Sequence, residues 1–525
     1  MGPFTFGTSP FLNAVMLIKI YGSAVQGIEA TKVVIEVHCA LGVGYHLVGM
    51  ANHAIRESSY RIAAALAHYG YRIPGKRLTI NMAPADLPKE GAAYDLPLAI
   101  GVLVASQQIK PIPFLEDHII MGELSLDGSL RPINGVLSMA LQAKKQGCKG
   151  LVVPFDNRTE AAVVSGLDVY GVSHLGNIID HLKGETLLKP TQVDRKRELG
   201  AIGQDGALDF EQVKGQPMAK MGFEIAAAGG HNLLLIGTPG SGKSMLAKRL
   251  PTILPPISFE EALETTKIHS VMGLSYASGL IAHRPFRSPH HGITERALIG
   301  GGVYPMPGEL SLAHNGVLFL DELPEFHRRA LESLRQPLEE GMITIARAKA
   351  TVRYPADFML VASMNPSAKG YGALGTELQQ PLPQDMQRYL KKISGPLLDR
   401  MDLQIEMQPV TVDDLNRKGI EDSSRDIRKR VLKARALQTH RFRALEQVYC
   451  NAQIPEGRLE DYCPLSPKVT GLMARAMSGL GLSVRWYDRI IKVARTIADL
   501  TACEAIETDH VAEAIQFRSL DRIMR

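Results

Sequence analysis

Residues 237–244 form the pattern that most directly predicts chemistry in this chain. They read Gly-Thr-Pro-Gly-Ser-Gly-Lys-Ser and directly follow an apolar run, residues 233–236. Glycines in such a loop let successive backbone N–H groups surround phosphate oxygens, while the lysine neutralises β/γ charge and the last hydroxyl binds Mg²⁺. We therefore predict a site for ATP and Mg²⁺ that consists of Gly237, Thr238, Pro239, Gly240, Ser241, Gly242, Lys243 and Ser244.

Two adjacent carboxylates follow a second apolar run. Asp321 and Glu322 come directly after residues 317–320, which read Val-Leu-Phe-Leu. Four consecutive apolar residues are typical of a strand in a parallel sheet. Asp321 could hold Mg²⁺ through water, and Glu322 could polarise the attacking water. The pattern is common by itself, but after a phosphate loop it predicts the hydrolytic part of a nucleotide site.

Three further polar side chains are candidates for the same site. Asn365 follows the apolar run 358–362 and could orient the attacking water. Taken by itself, the dipeptide Asn365-Pro366 favours an ordinary turn. Arg400 ends a short apolar segment, and Arg485 opens a helical one. Guanidinium groups suit developing phosphoryl charge because they remain charged and donate in pairs. Taken singly, each arginine is better explained by a surface ion pair.

Hydrophobic periodicity divides the 525 residues into five segments and predicts an α/β protein. Strand and helix patterns alternate in the first large segment, and the phosphate loop lies in the second, which we expect to have a parallel sheet. The third large segment has helical periodicity and few strand signals. The segments are a leader at 1–15, an α/β domain at 16–187, a polar linker at 188–213, the phosphate-loop domain at 214–410 and a helical lid at 411–525. We expect residues 1–15 to be either a disordered leader or the product of an upstream start codon, with Met16 as the natural start in the second case.

Individual elements are predicted from the same patterns. In the first domain we expect strands at 33–37, 78–82, 119–121 and 150–153 and helices at 50–69 and 95–105. In the phosphate-loop domain we expect strands at 233–236, 317–320 and 358–362 and a helix at 245–250. Ser258 and Glu261 have the spacing of a capping box, which predicts that a helix begins there.

Composition excludes several classes of protein. The chain is 45% hydrophobic and 22% charged, as in ordinary globular proteins, and its net charge of +5 permits a polyanionic partner without requiring one. The five cysteines are scattered without C-x-x-C spacing, which argues against a disulfide framework or a structural zinc site. No apolar run reaches about 18 residues, and the N-terminus lacks the basic region of a signal peptide. We therefore expect a cytoplasmic protein that does not span a membrane.

The order of the motifs resembles that of the magnesium-chelatase-like AAA+ ATPases of the YifB group, which includes the competence protein ComM. The resemblance extends from about Met16 to the C-terminus and rests on the stretches 237–244, 284–291, 307–314, 316–322, 394–400 and 494–499. It implies a P-loop core and a helical lid, with Lys243 and Ser244 in Walker A and Asp321 and Glu322 in Walker B. It further implies that Asn365 is sensor 1, Arg400 a finger offered to a neighbouring subunit and Arg485 sensor 2. A finger that acts in trans implies a ring, which we expect to be a homo-hexamer.

The first domain resembles the Lon-type proteolytic domain, a fold of the ribosomal-protein-S5-domain-2-like class. The resemblance rests on residues 88–91, 122–128 and 131–133. A Lon protease needs a serine soon after the first motif and a lysine soon after the second, but this chain has Ala93 and Leu137 there. Without a nucleophile and a base no covalent peptide hydrolysis can occur. We expect a domain that is structural or binds substrate.

Two local features bear on metal binding. Many YifB relatives carry the cysteines of a zinc-binding insertion after sensor 1, whereas residues 366–387 contain none, so no zinc is expected. His290 and His291 are adjacent and would point in different directions from a strand or a loop. We expect them to form hydrogen bonds or contact phosphate rather than bind a metal.

A hairpin between Walker B and sensor 1 suggests the polymer on which such a motor could act. Residues 342–347 and 351–354 flank Ala348-Lys349-Ala350, and in related helicase rings such a hairpin enters the pore and grips nucleic acid. Arg347 and Lys349 would then contact phosphates of single-stranded or branched DNA. A merely solvated hairpin is an equal alternative.

Three functions compete at this stage. The resemblance favours an ATP-driven DNA helicase or branch-migration translocase that acts in recombination or natural transformation. A chelatase ATPase subunit is the second, weakened because chelatase motors lack the Lon-like block. A protein unfoldase without its own protease activity is the third.

Overall fold

The computed structural model describes residues 17–50, 52–194, 208–274, 279–347, 350–365, 392–409, 421–445, 448–480 and 484–518. These residues form two compact units. The first consists of the described residues within Met1–Leu199 and Thr266–Ile281, and the second of those within Gly200–Thr265 and Ala282–Arg525. The leader expected at 1–15 lies outside the described residues.

A seven-stranded mixed sheet organises the first unit. The strands are β1 (Leu17–Gln26), β2 (Glu29–Ala40), β3 (Gly44–Val48), β4 (Arg77–Ala83), β5 (His118–Ile120), β6 (Glu123–Leu124), β7 (Leu130–Arg131), β8 (Gly150–Pro154) and β9 (Asp168–Val172). The sheet order is β3-β4-β2-β1-β5-β8-β9, and β6 pairs with β7 in a separate ribbon. Strand β1 is antiparallel to β2 and parallel to β5. All four strands predicted here are present, each with slightly different ends.

Helices cover this sheet. They are α1 (His53–Arg56), α2 (Ser58–His68), α3 (Asp95–Ala105), α4 (Phe114–Asp117), α5 (Val136–Lys145), α6 (Arg158–Ala162) and α7 (Leu175–Lys183). The predicted helix at 95–105 is confirmed, and all of its residues are buried. The single helix predicted at 50–69 is wrong, because α1 and α2 are separate and Glu57 lies between them.

A five-stranded parallel sheet forms the centre of the second unit, in the order β11-β14-β17-β10-β18. Its strands are β10 (Leu233–Gly237), β11 (Phe286–Arg287), β14 (Val317–Leu320), β17 (Met359–Met364) and β18 (Leu403–Met407). Two hairpins accompany it, namely β12 (Gly300–Gly301) with β13 (Met306–Pro307) and β15 (Met342–Arg347) with β16 (Ala350–Pro355). The parallel-sheet core is thereby confirmed, and the third predicted strand is shifted by one residue at its start.

Helices pack around this sheet and make up most of the described C-terminal region. They are α8 (Pro217–Gly229), α9 (Lys243–Ile253), α10 (Phe259–Val271), α11 (Glu295–Ile299), α12 (Glu309–Leu312), α13 (Arg328–Glu332), α14 (Arg335–Glu340), α15 (Gly395–Leu398), α16 (Ser424–Arg441), α17 (Leu459–Tyr462), α18 (Pro467–Leu480), α19 (Val484–Leu500) and α20 (Thr508–Gln516). The predicted capping box before α10 is confirmed, since Ser258 and Glu261 exchange side-chain-to-backbone hydrogen bonds. Among the described helices, none combines the length and the apolar content needed to cross a bilayer.

Helix α10 runs from one compact unit into the other. Its residues up to Thr265 belong to the second unit, while Thr266–Ile281 belong to the first. In the first unit, Lys267 Nζ lies 2.7 Å from Glu29, and the Ser270 hydroxyl donates to the buried carboxylate of Glu160.

The ordered packing of the second unit begins before the end of the expected linker. Phe210 and Val213 are both buried in its core, and the Phe210 ring lies 6.1 Å from that of Phe223. The Asp209 carboxylate caps the short 3₁₀ turn at Phe210–Gln212. Phe210 and Val213 are therefore part of the core, while 195–207 lie outside the described residues.

Candidate nucleotide-binding site

The predicted strand, loop and helix follow one another around the phosphate loop. Strand β10 ends at Gly237 and helix α9 begins at Lys243. Gly240 and Gly242 adopt φ values of +83° and +93°, a left-handed region that a side chain would strain. The loop therefore depends on glycine at these two positions.

Lys243 lies inside the loop rather than in solvent. Its ammonium group donates to the carbonyls of Gly237, at 2.7 Å, and Thr238, at 2.9 Å, and to Asn365 Oδ1 at 3.1 Å. Burial lowers the pKa of Lys243, and the negative charges of Asp321 and Glu322 oppose that shift. Sensor-1 candidate Asn365 is thus in direct contact with the phosphate-loop lysine.

Ser244 and Asp321 meet at the next point of the site. The Ser244 hydroxyl donates to Asp321 Oδ2 at 2.9 Å. Hydroxyl and carboxylate oxygens are the ligand types that Mg²⁺ uses in nucleotide sites. The two predicted metal-binding residues are therefore adjacent, although they come from different elements.

Ser363 is a residue of this site that the sequence did not reveal. Its buried hydroxyl donates to Asp321 Oδ1 and accepts a hydrogen bond from the backbone N–H of Glu322 at 3.3 Å. It fixes the orientation of the Asp321 carboxylate. Its only sequence signal is that it lies two residues before Asn365. Side chains two residues apart in an extended chain lie on the same face.

The topology of the sheet explains why these side chains meet. Strands β14, β17 and β10 are parallel neighbours, with Phe319 opposite Val361 and Leu235 opposite Ser363. The carboxyl ends of parallel strands share one edge of a sheet, and ligands bind there in open α/β folds. Asp321, Asn365 and the phosphate loop all follow such strand ends.

Glu322 projects from this edge in an unusual backbone conformation. Its φ is +56°, which costs a non-glycine residue about 1–2 kcal/mol, and its side chain is 49% exposed. His291 lies beside it, with Nδ1 3.5 Å from Glu322 Oε2. His291 and Glu322 therefore form a contact between the Walker B segment and the loop after β11.

The remaining residues of the 284–291 motif have structural roles. Arg284 is largely buried and donates to Glu261 and to the carbonyls of Pro255 and Asn315. Arg287 forms two hydrogen bonds with Glu309, both 2.7 Å long. The expectation that His290 and His291 point in different directions is wrong, because their ring centroids lie 4.0 Å apart. The two rings are tilted by 35° to each other, and the Gly292 N–H donates to His290 Nδ1.

The Ser241 hydroxyl of the phosphate loop shows how well the loop fits ATP. The Ser241 hydroxyl is buried and has no hydrogen-bond partner within the described residues. A buried hydroxyl without a partner costs free energy unless a ligand or water satisfies it. The loop thus has an unsatisfied donor in the place where phosphate oxygens are expected, and its residues fit the nucleotide.

Comparison with known proteins assigns the chain to a family. Sequence models described as "Magnesium chelatase, subunit ChlI", "Subunit ChlI of Mg-chelatase" and "Magnesium chelatase, subunit ChlI C-terminal" match residues 209–415, 35–157 and 421–518. The chain is 41% identical to "Uncharacterized protein YifB" of Salmonella typhimurium over 512 residues, which cover 97% of this chain and 98% of that protein. It is 42% identical to "Competence protein ComM" of Haemophilus influenzae over 97% and 99% of the two chains. The chain belongs to the YifB/ComM family of magnesium-chelatase-like proteins.

A weaker similarity links this YifB/ComM family member to a protease. "Lon protease 2" of Bacillus subtilis is 24% identical over 160 residues, which are 29% of this chain and 28% of that protein. In the first unit the Ala93 carbonyl accepts a 2.7 Å hydrogen bond from Gly122, so the segment just after the first Lon-like motif contacts the start of the second. Leu137 is fully buried in α5, and its N–H donates to Glu160. These are the two positions at which a Lon protease would need its serine and its lysine.

The two candidate arginines of the family pattern are positioned differently. The Arg400 guanidinium forms an ion pair with Glu339 of the same chain and is 31% exposed. Arg485 lies at the start of α19, and its side chain is outside the described residues. The structure does not bring the Arg400 side chain into contact with the phosphate loop within one chain.

Helix α19 is nevertheless tied to the segment that carries Arg400. Trp486 Nε1 donates to Asp399 Oδ1 at 3.3 Å, and Arg489 forms an ion pair with the buried Asp402. Asp402 also accepts from the Asn232 N–H at 3.0 Å, directly before β10. The candidate sensor-2 helix, the finger segment and the phosphate-loop strand are therefore linked through Asp402.

The Asp402 ion pair gives a prediction for stability. Burial opposes the ionisation of Asp402, but the charge of Arg489, the neighbouring His231 and the N–H of Asn232 together outweigh it and hold the pKa of this carboxyl well below its usual range. A depressed pKa stabilises the fold above the unfolded-state value of about 4, and this contribution is lost as pH falls further. We expect Asp402→Asn to lower the free energy of unfolding by about 3 kcal/mol at pH 7 and by less below pH 4, measured by urea denaturation.

A matched control is available in the same unit. Asp461 pairs with Arg458, and both side chains are at least half exposed. We expect Asp461→Asn to change the free energy of unfolding by no more than about 0.5 kcal/mol, because solvent screens exposed pairs. Equal losses in both variants would contradict the role assigned to Asp402.

The predicted hairpin before sensor 1 is confirmed. Strands β15 and β16 are antiparallel, with Arg347 opposite Ala350 at the tip. Arg347 is exposed, while Ile343, Ile345, Val352 and Tyr354, which lie further from the tip, are buried. Lys349 lies outside the described residues.

Proposed function

We propose that this family member is an ATP-hydrolysing AAA+ motor that acts on DNA as a helicase or branch-migration translocase. The observation that carries the ATPase proposal is the set of hydrogen bonds joining Lys243 to Asn365 and Ser244 to Asp321. These pairs bring together the side chains that bind phosphate, metal and attacking water in P-loop ATPases.

The chain's own residues suggest a division of labour. Lys243 would neutralise charge on the β- and γ-phosphates, and Ser244 and Asp321 would hold Mg²⁺. When bound with ATP, Mg²⁺ would supply further neutralisation of phosphoryl charge. Glu322 would accept a proton from the attacking water, and Asn365 would orient that water. Ser363 would keep Asp321 in position.

A ring of identical subunits, with six as the expected number, is part of this proposal. Arg400 pairs with Glu339 rather than with its own phosphate loop, and its guanidinium group carries a positive charge. It would complete the ATP site of a neighbouring subunit, while Arg485 would act as sensor 2 from the lid. The heterologous contact that such a finger requires generates a ring when the rotation between subunits closes.

DNA is proposed as the track for two reasons. One relative is named a competence protein, which fits a role in DNA uptake or recombination. Arg347 is exposed near the tip of the β15–β16 hairpin, and Lys349 follows two positions later in the sequence. Basic side chains at a hairpin tip can contact the phosphates of any sequence. We also propose a cytoplasmic location, because the five free cysteines suit a reducing compartment.

We propose that the first unit has the Lon-type, ribosomal-protein-S5-domain-2-like fold but is not an active protease. The partial similarity to Lon protease 2 supports the first part. The second part is supported by Ala93 and Leu137, which offer neither a nucleophile nor a base. The unit would serve a structural or substrate-binding role.

The test of the DNA proposal compares several stimulators of ATP hydrolysis. We expect single-stranded or branched DNA to raise the rate several-fold at low salt, and unfolded casein to leave it unchanged. Stimulation by casein alone would instead favour a protein unfoldase. If DNA neither binds nor stimulates at low salt, the DNA proposal is wrong, and a chelatase-type ATPase becomes the better alternative, in keeping with the descriptions of the matching family models.

A further inference from the structure

Helix α16 carries far more positive than negative charge. Its 18 residues include seven arginines and lysines but a single acid, Asp426. Asp426 Oδ1 lies 3.0 Å from Lys429 Nζ, so this acid offsets at most one of the charges. A solvated helix face ordinarily alternates charges of both signs, because like charges four residues apart destabilise a helix by about 0.2–0.5 kcal/mol per pair. The charge of α16 therefore requires an explanation other than solubility.

One side of α16 is fixed in the second unit. Ile427, Val431 and Ala434 are buried, and the buried Gln438 donates to the Ala228 carbonyl at 3.0 Å. Arginines beside this buried side bond to other elements, namely Arg430 to Glu224, Arg435 to the Ala227 carbonyl and Arg441 to Asp499. These contacts fix the rotation of the helix about its axis, and they determine which residues face outward.

Four basic residues occupy the outward side of α16. Arg425, Lys429, Lys433 and His440 are all exposed, and we call them the basic stripe. At about 100° per residue they fall within an arc of about 80°, and they extend over about 22 Å of helix. Within the ranges that the structure describes, Arg425 and Lys433 form no hydrogen bond or salt bridge with an acidic side chain. The charge of the stripe is therefore available to a polyanion.

A membrane surface matches this helix less well than a nucleic acid does. An amphipathic helix binds a bilayer with its apolar face. The apolar face of α16 is buried within the unit, which leaves Leu432 and Leu437 partly exposed, at 39% and 45%. The stripe thus offers positive charge without a continuous apolar surface, and this combination suits phosphate groups in water.

The stripe also lacks the side chains that hold single strands. Proteins that bind single strands stack aromatic side chains on the bases, and α16 contains no phenylalanine, tyrosine or tryptophan. A row of positive side chains on a rigid helix can instead contact the backbone of a duplex, which carries one negative charge per about 1.7 Å of its axis. Charge complementarity therefore favours double-stranded DNA.

We propose that the basic stripe of α16 binds the phosphate backbone of double-stranded DNA without reading its sequence. Contacts to phosphates position a protein on DNA but carry no sequence information. This inference rests on the proposed action on DNA and adds a contact surface on the C-terminal helices. The stripe would hold the part of a branched substrate that is still a duplex.

The test measures binding of the full-length protein to a fluorescent duplex and a fluorescent single strand of equal length, at several salt concentrations. We expect the double variant Arg425→Gln with Lys433→Gln to weaken duplex binding about 50-fold at about 0.1 M salt. The slope of log K against log salt concentration should fall by about 1.8, which is twice the value for one phosphate contact on a duplex. Binding of the single strand should change less than about twofold.

Two further variants serve as controls. Arg328→Gln with Lys468→Gln removes the same two charges from exposed residues of the same unit outside α16, and we expect it to change duplex binding less than about twofold. Arg425→Lys with Lys433→Arg keeps both charges and should bind the duplex as the unmodified protein does. A loss in this charge-conserving variant would indicate a structural role and overturn the inference. Thermal unfolding of every variant checks its folding.

The remaining outcomes separate this inference from the proposed function. If the unmodified protein binds neither DNA at low salt, the proposed action on DNA is wrong. If it binds the duplex but the double variant loses no more than the control, only the basic stripe is overturned. Equal losses on the duplex and the single strand would overturn the duplex as its ligand. Lost binding to phosphatidylserine vesicles with intact duplex binding would instead identify a membrane surface.

Discussion

Lys243→Ala is expected to lower the rate of ATP hydrolysis by at least about 10²–10³-fold, the loss seen when one group that stabilises transition-state charge is removed. The ammonium group is the only positive side chain shown inside the phosphate loop among the described residues, and it donates to Gly237 O, Thr238 O and Asn365 Oδ1. The substitution therefore removes both the charge that faces the phosphates and the hydrogen bond that positions Asn365. Steady-state phosphate release and binding of a fluorescent ATP analogue would measure the two effects.

Lys248→Ala is the matched control for this substitution. Lys248 lies in the same helix, α9, but its side chain is exposed, and it contacts no residue of the site. We expect its rate of hydrolysis to stay within about twofold of that of the unmodified protein, as for most exposed substitutions. If Lys243→Ala retained more than a tenth of the rate, residues 237–244 would not be the catalytic phosphate loop.

Strands and the phosphate loop were predictable because their signals are local. An apolar run followed by closely spaced glycines has few structural solutions, and β10, β14 and β17 are present near the predicted positions. Asp321 and Asn365 could be placed for the same reason, since each directly follows an apolar run. Local sequence patterns were therefore sufficient to predict the edge of the sheet at which the site lies.

Contacts between distant residues were not predictable in this way. Ser363 looks like one more residue of a strand, and only the pairing of β14 with β17 shows that its hydroxyl reaches Asp321. The pairing of Arg400 with Glu339 depends on tertiary structure, because 61 positions separate the two residues. A sequence pattern carries no information on such distances.

The boundary between the two compact units was missed for a related reason. Helix α10 is continuous from Phe259 to Val271, so no glycine or proline marks the change of unit after Thr265. Phe210 was missed because a single aromatic residue in a polar stretch has no periodicity. Its burial becomes evident only from the packing against Phe223.

The ion pair between Arg400 and Glu339 does not prevent a role for Arg400 in a neighbouring subunit. The Arg400 and Glu339 side chains are 31% and 48% exposed. An exposed ion pair contributes at most about 1 kcal/mol to stability. Breaking it to free Arg400 therefore slows ATP hydrolysis by no more than about fivefold. We expect Glu339→Gln to leave the rate of ATP hydrolysis unchanged or to raise it by up to about fivefold.

Arg400→Ala is expected to bind ATP normally but to hydrolyse it about 10³-fold more slowly, as when an arginine finger is removed. If the finger acts in trans, each ATP site combines Glu322 of one subunit with Arg400 of the next. Arg400→Ala and Glu322→Gln proteins should each be inactive, but an equal mixture should recover up to about a quarter of the unmodified rate, because that share of the subunit junctions has both residues intact. Hydrolysis measured after subunit exchange tests this expectation. Absence of recovery in a mixture shown by labelled subunits to have exchanged would rule out Arg400 as a finger in trans.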